Sequence, residues 1–169
     1  MRARRLRDAI LRRLREAYRE TMASVAAEYG VTPVQIDLSQ QSRQVFQGYL
    51  TADQVDETVA ARYPLLIIYT VSSAHEHSQM PAAFAGIVTI AVEWHLSFRG
   101  GNAPHDSEAA CDVVEDVMYR IFQNGNWPQL YGAGNAVMFG IECARSPVDM
   151  AGEHWRQTVR FTLQFEVAE

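Results

Sequence analysis

Apolar and polar residues alternate with a period of two from Phe84 to Arg99 (FAGIVTIAVEWHLSFR). Phe84, Gly86, Val88, Ile90, Val92, Trp94, Leu96 and Phe98 share one side of an extended chain. Ala85, Ile87, Thr89, Ala91, Glu93, His95, Ser97 and Arg99 share the other. Alternation held this long predicts a strand with one buried face. At the usual rise it would run roughly 50 Å, so it is expected to be central and twisted. Its second face begins apolar and ends polar. One end is expected to be covered on both sides, while the other reaches solvent or a partner.

The rest of the chain is placed around this strand. Leu6, Ile10, Leu14, Tyr18, Met22, Val25 and Tyr29 recur at spacings of three and four, which predicts a long amphipathic helix over residues 2–29, stopped by Gly30 and Pro33. Val34, Ile36 and Leu38 suggest a short edge strand over residues 34–38. Residues 39–48 read as a loop. Thr51 with Gln54 forms a capping box that opens a short helix ending before Pro64. The apolar run at residues 64–71 (PLLIIYTV) predicts a buried strand, and residues 72–83 (SSAHEHSQMPAA) a long polar loop. Residues 106–123 predict a helix capped by Asp106 or Ser107, with an acidic flank of Glu108, Asp112, Glu115 and Asp116. A glycine-rich loop over residues 124–135 carries Trp127 and Tyr131, aromatics that either mark a contact surface or fold back onto the core. Strands follow at residues 136–145, with Val137, Phe139, Ile141 and Cys143 on one face, and at residues 155–167, with a turn between them.

These elements predict an α+β fold built on a four-stranded, mainly antiparallel sheet. Two β-hairpins joined by a crossover helix make the sheet, with helices packed on one face. The expected domain is single, spanning residues 1–169. Within it, residues 1–30 form a basic amphipathic helix and residues 50–169 a sheet-and-helix core.

Charge changes the picture more than composition does. The net charge of −5 hides a split: residues 1–20 hold eight arginines against Asp8, Glu16 and Glu20, giving +5, and the remainder carries −10. A basic arm on an acidic body suits an acidic partner or another copy of the chain. Arg4, Arg5, Arg12 and Arg13 are the candidate contacts on this arm. The hydrophobic share of 48% is ordinary, and no apolar run approaches a bilayer span, so no membrane is expected. No secretory h-region follows the arginines, and their acidic neighbours argue against a transit peptide. Cys111 and Cys143 form no disulfide framework or metal motif, and are expected to be reduced core residues in a cytoplasmic setting.

The candidate chemistry is sparse. His75, Glu76 and His77 could present two imidazoles to a metal or to a partner, but a site needs three or four ligands. His105 and Asp106 could be a base and its orienter, although their place at a helix start is explained by capping. Glu93, His95 and Ser97 share a strand face, where parallel side chains do not converge as a triad does. No phosphate loop is present. No enzyme, cofactor or metal is therefore expected.

The order of elements resembles that of the tail terminator, or tail-completion, proteins of long-tailed bacteriophages. The resemblance is carried by residues 64–71 and 84–99 as a first hairpin, 106–123 as the helix, and 136–145 with 154–167 as a second hairpin ending in HWRQTVRFTLQFEV. It implies a virion structural protein of the tail or neck, assembled in the host cytoplasm. Such proteins form a homo-oligomeric ring, typically of six copies, that caps the tail tube and meets the head-tail connector or head-completion protein. DNA passes through the channel without specific binding. The loops at residues 72–83 and 124–135 suit ring or tube contacts in that reading, with His75, Glu76, His77, Trp127 and Tyr131 as candidate subunit or partner contacts. Two alternatives follow: another neck or head-completion protein, and a nucleic-acid-binding protein using the arginine-rich helix.

Overall fold

The computed structural model describes residues 2–50, Gln54, 63–77, 84–123, 125–151 and 153–168. In chain order the elements are α1 (Arg2–Tyr29), β1 (Val45–Gln47), β2 (Leu65–His77), β3 (Phe84–Arg99), α2 (Ala103–Phe122), α3 (Trp127–Leu130), β4 (Asn135–Arg145), β5 (Asp149–Ala151) and β6 (His154–Ala168). The strand order is β1-β2-β3-β6-β4, with β5 also paired to β6. The sheet is thus six-stranded and mixed rather than four-stranded, because β1 pairs parallel to β2 and β5 doubles the start of β6. The two antiparallel hairpins joined by a crossover helix are present within it. Strands β3 and β6 pair along their whole lengths, from Ala85↔Ala168 to Arg99↔His154.

Helices α1 and α2 cover one face of the sheet. Leu6, Ile10, Leu14, Tyr18, Met22 and Val25 are all buried, and they share one core with Val88, Ile90, Val92, Trp94 and Leu96 of β3. The arginine-rich helix is therefore part of the core and not an appendage to it. Tyr29, the last member of its stripe, is exposed, since it stands at the helix end just before Gly30 turns the chain with φ +66°. On α2, Val113, Val114, Val117, Met118, Ile121 and Phe122 close the same core from the β6 side. A second small cluster sits on the opposite sheet face, where Leu65, Ile67, Tyr69 and Ala91 meet Phe46, Leu50 and Tyr63. Strand β2 is thus covered on both faces near its start, as its continuous apolar run requires.

Several expectations are corrected. Residues 34–38 form no strand; the carbonyls of Val34 and Leu38 accept hydrogen bonds from Tyr18 and Arg15 of α1 instead of a ladder partner. Their alternation records a segment lying along the helix with its apolar side inward. The edge strand is β1, inside the stretch expected to be a loop, and three residues are too few to show a period. Residues 72–77 continue β2 rather than opening a loop. Val71 to Ala74 are exposed, so no apolar pattern marks this arm. Helix α2 starts at Ala103, with Pro104 in its first turn and Asn102 as an N-cap that makes no side-chain bond. The Ser107 hydroxyl, expected to cap it, is buried and donates to Gln157 Oε1 at 2.8 Å.

Strand β4 does not keep one apolar face. A bulge between Met138 and Gly140 shifts its register by one residue. Ala136 and Met138 are buried before it, and Ile141 and Cys143 pack on the core after it. Val137 and Phe139 are exposed. One inserted residue exchanges the faces of a strand, so the sequence period fails at this point. The helix expected after Thr51 lies outside the described residues apart from Gln54, as do residues 78–83 of the expected loop.

Candidate functional site

The polar face of the sheet carries a connected side-chain network around Glu93. Tyr69 on β2 donates its hydroxyl to Glu93 Oε1 at 2.7 Å. The other oxygen of Glu93 lies 3.2 Å from His95 Nε2, and His95 Nδ1 lies 3.2 Å from the Thr158 hydroxyl on β6. Arg160 stands over the Tyr69 ring, with its Nε 3.9 Å from Glu93. The period-two rule places these groups together, because Glu93, His95, Thr158 and Arg160 face the same side of paired strands. Burial pushes the Glu93 carboxyl up, but the hydrogen bonds from His95 and Tyr69 outweigh it, so its pKa lies below the usual carboxylate range. Burial, with the bond to Glu93, pushes the Tyr69 hydroxyl up to about 12.

Both nitrogens of His95 are engaged within the network, which leaves neither directed at a bound substrate. Ser97 pairs instead with His154 Nδ1 at 3.0 Å, so Glu93, His95 and Ser97 are not assembled into a triad. The arrangement ties β2, β3 and β6 together. Glu93→Leu strips the partners from Tyr69, His95 and Arg160, and is expected to cost about 2 kcal/mol at neutral pH. The depressed pKa sets the sign: this stability is present above the ordinary carboxylate value and is lost as pH falls through the lower folded value. Denaturant unfolding at pH 7 and at pH 3 checks it, and a gap that does not narrow at the lower pH contradicts it.

The arginines of α1 divide into two sets. Arg7 donates to the Thr70 hydroxyl, Arg13 to the Ile121 carbonyl and Arg15 to the Leu38 carbonyl, each at 2.5 Å. These three hold the helix to the body. Arg4 and Arg5 are exposed, Arg4 standing 4.0 Å from Asp8. Arg12 and Arg19 are exposed as well. Arg5, Arg12 and Arg19 make no hydrogen bond or ion pair among the described residues.

Of the two aromatic candidates, Trp127 belongs to the interior, and Tyr131 stands half-buried beside it. Trp127 is 1% exposed and packs against Phe122 and Phe165 with ring centroids 5.1 and 5.7 Å away. The Arg13 guanidinium lies over both Trp127 and Tyr131. The Tyr131 hydroxyl donates to Glu16 at 2.6 Å. Arg13, Trp127, Tyr131 and Glu16 thus clasp α3 to α1. His75, Glu76 and His77 lie at the end of β2, paired with Gly86, Ala85 and Phe84; their side chains lie outside the described part of the structure. Among the described residues no three His, Cys, Asp or Glu side chains are grouped to hold a metal, and no helix is long and apolar enough to cross a membrane. No protein-family model matches the chain, and no curated protein matches it significantly.

Sequence reading found the acidic flank of α2 but missed the arginine of β4 that closes on it. Arg145 reaches from the end of β4 to three carboxylates of α2: Glu115 and Asp112 at 2.5 Å and Glu108 at 3.0 Å. Arg120 similarly joins Asp116 to Glu28 of α1 at 3.0 and 2.7 Å. The acidic flank is therefore partly neutralised from within, with three carboxylates sharing one guanidinium around Arg145. Beside it lies a groove of about 380 Å³ lined by Tyr119, Met138, Phe139 and Ile141. Tyr119 and Phe139 are exposed there. The i, i+4, i+7, i+11 spacing of Glu108, Asp112, Glu115 and Tyr119 is the signal in the sequence that places them on one flank. A larger groove of about 510 Å³ separates residues 30–35 from the start of α2, where His105 and Asp106 line it.

Proposed function

We propose that this chain is a structural protein of a long-tailed phage virion, a tail terminator that forms a ring on the finished tail tube and joins it to the head connector. The single observation that carries the reading is the layout: hairpin, crossover helix, hairpin, with two helices on one face. That is the layout to which the resemblance of the sequence points. Away from the small apolar cluster, the polar second face of the sheet suits packing between subunits, as does the β4 edge, which pairs only with β6 among the described residues. The engaged nitrogens of His95 add support, since this polar network is spent on holding strands together. In this reading the partners are further copies of the chain, typically six in all, the tail-tube protein and a connector or head-completion protein. DNA passes through the channel without specific binding.

The test is to mix the purified chain with tail tubes of the same phage and image them by electron microscopy. A disc of density capping one end of each tube is the expected result. Tubes that keep bare ends at saturating protein overturn the reading. A chain that instead binds duplex DNA, with affinity falling steeply as salt rises, moves the assignment to a nucleic-acid-binding protein.

A further inference from the structure

We infer that the outer ridge of α1, formed by Arg5, Arg12 and Arg19, docks on the acidic corner of α2 and β4 in a second copy of this chain. The inference rests on the ring reading and names the contact that would close the ring.

Arg5, Arg12 and Arg19 recur every seven residues, so they stand in one line with steps of about 10.5 Å along the helix. All three are exposed, and none has an ionic partner among the described residues. The complementary surface is the flank of α2 carrying Glu108, Asp112, Glu115 and Tyr119, a stripe about 16 Å long. Its carboxylates outnumber the single Arg145 guanidinium, and the side chains of Glu108 and Asp112 remain 64% and 50% exposed. The apolar groove at Tyr119 and Phe139 continues the stripe. An apolar centre with an acidic rim is suited to arginine, whose guanidinium pairs with carboxylates and stacks on aromatic rings.

Placement on the subunit also fits. Helix α1 is tied to β2 through Arg7 and Thr70, and the acidic flank is tied to the edge strand β4, three strands away in the sheet. Two different, complementary surfaces on separate sides of a subunit make a head-to-tail contact, the kind that closes into a ring. Phosphate is a poorer occupant, because Glu16 and Glu20 stand on the same exposed helix face as the three arginines.

The test is a charge swap. One variant carries Arg5→Glu, Arg12→Glu and Arg19→Glu; the other carries Glu108→Arg and Asp112→Arg. All five positions are exposed, and circular dichroism and thermal unfolding verify that both variants stay folded. Assembly is followed by light scattering with tail-tube protein present. Each variant alone is expected to need at least about tenfold more protein to assemble than the wild type, since like charges then face each other. An equal mixture of the two is expected to recover assembly, because alternating copies restore every ridge-to-corner contact. A ridge variant that assembles like the wild type overturns the inference and leaves the ring reading standing. So does a mixture that fails to recover, or a ridge variant that loses only DNA binding. A wild-type chain that never assembles overturns both.

Discussion

A chain that begins at residue 21 is expected not to fold. The deletion removes the eight N-terminal arginines, and with them Leu6, Ile10, Leu14 and Tyr18, which are between 0% and 4% exposed in the common core. Each such side chain contributes about 1.5–3 kcal/mol through burial, so the sum approaches or exceeds the 5–15 kcal/mol that holds a typical domain together. The loss also uncovers Trp94, whose ring stacks on Tyr18 with centroids 5.2 Å apart. Circular dichroism and denaturant unfolding of the shortened chain check this. A cooperative transition with native-like signal would show that the helix is an appendage after all. The same reasoning rules out truncation as a probe of the basic arm, because charge and core are removed together. Point reversal of the exposed arginines separates the two.

Trp127→Ala is expected to cost about 3–5 kcal/mol, the range for emptying a fully buried aromatic site. The indole fills the space between Phe122 and Phe165, and it supports the Arg13 guanidinium that ties α1 to the Ile121 carbonyl. Removing it opens a cavity and loosens the clasp that Tyr131 completes with Glu16. Trp127→Phe keeps most of the packing and is expected to cost well under half as much. Unfolding midpoints in urea at neutral pH measure both. A near-neutral Trp127→Ala would place this ring on a contact surface instead of in the core.

How much could be read in advance depended on how long one face stays buried. Helix α1 and strands β3 and β6 were legible because one apolar face persists along each of them, and the helix stripe at Leu6, Ile10 and Leu14 meets the strand stripe at Val88, Ile90 and Val92 in one core. The far arm of β2 was not legible, because neither face of Val71 to Ala74 is covered and nothing selects apolar residues there. In β4 the bulge near Phe139 exchanges the faces midway, so a constant period assigns Val137 to the wrong side. Strand β1 is held by Gln44, whose side chain donates to the Pro64 carbonyl and accepts from the Asp37 amide, bonds invisible to any local pattern.

The candidate contacts divided along similar lines. Charge counting found the arginines of α1, but it could not tell Arg13, spent on a carbonyl and two rings, from Arg5, Arg12 and Arg19, which face outward. That distinction depends on helical phase relative to the core. The acidic flank of α2 was visible as spacing, whereas its closure by Arg145 is a tertiary event across 30 residues or more of chain. Trp127 had two readings from its loop, and three neighbours decide between them: Phe122, Phe165 and Arg13.

The most direct test of the ring account is the solution mass of the purified full-length chain by light scattering, with and without tail-tube protein, at low and moderate salt. The account predicts a closed oligomer near six subunit masses, either alone or once tube protein is added, and a shift toward smaller species as salt screens the contact. A strict monomer that is indifferent to tube protein at every salt concentration would contradict it.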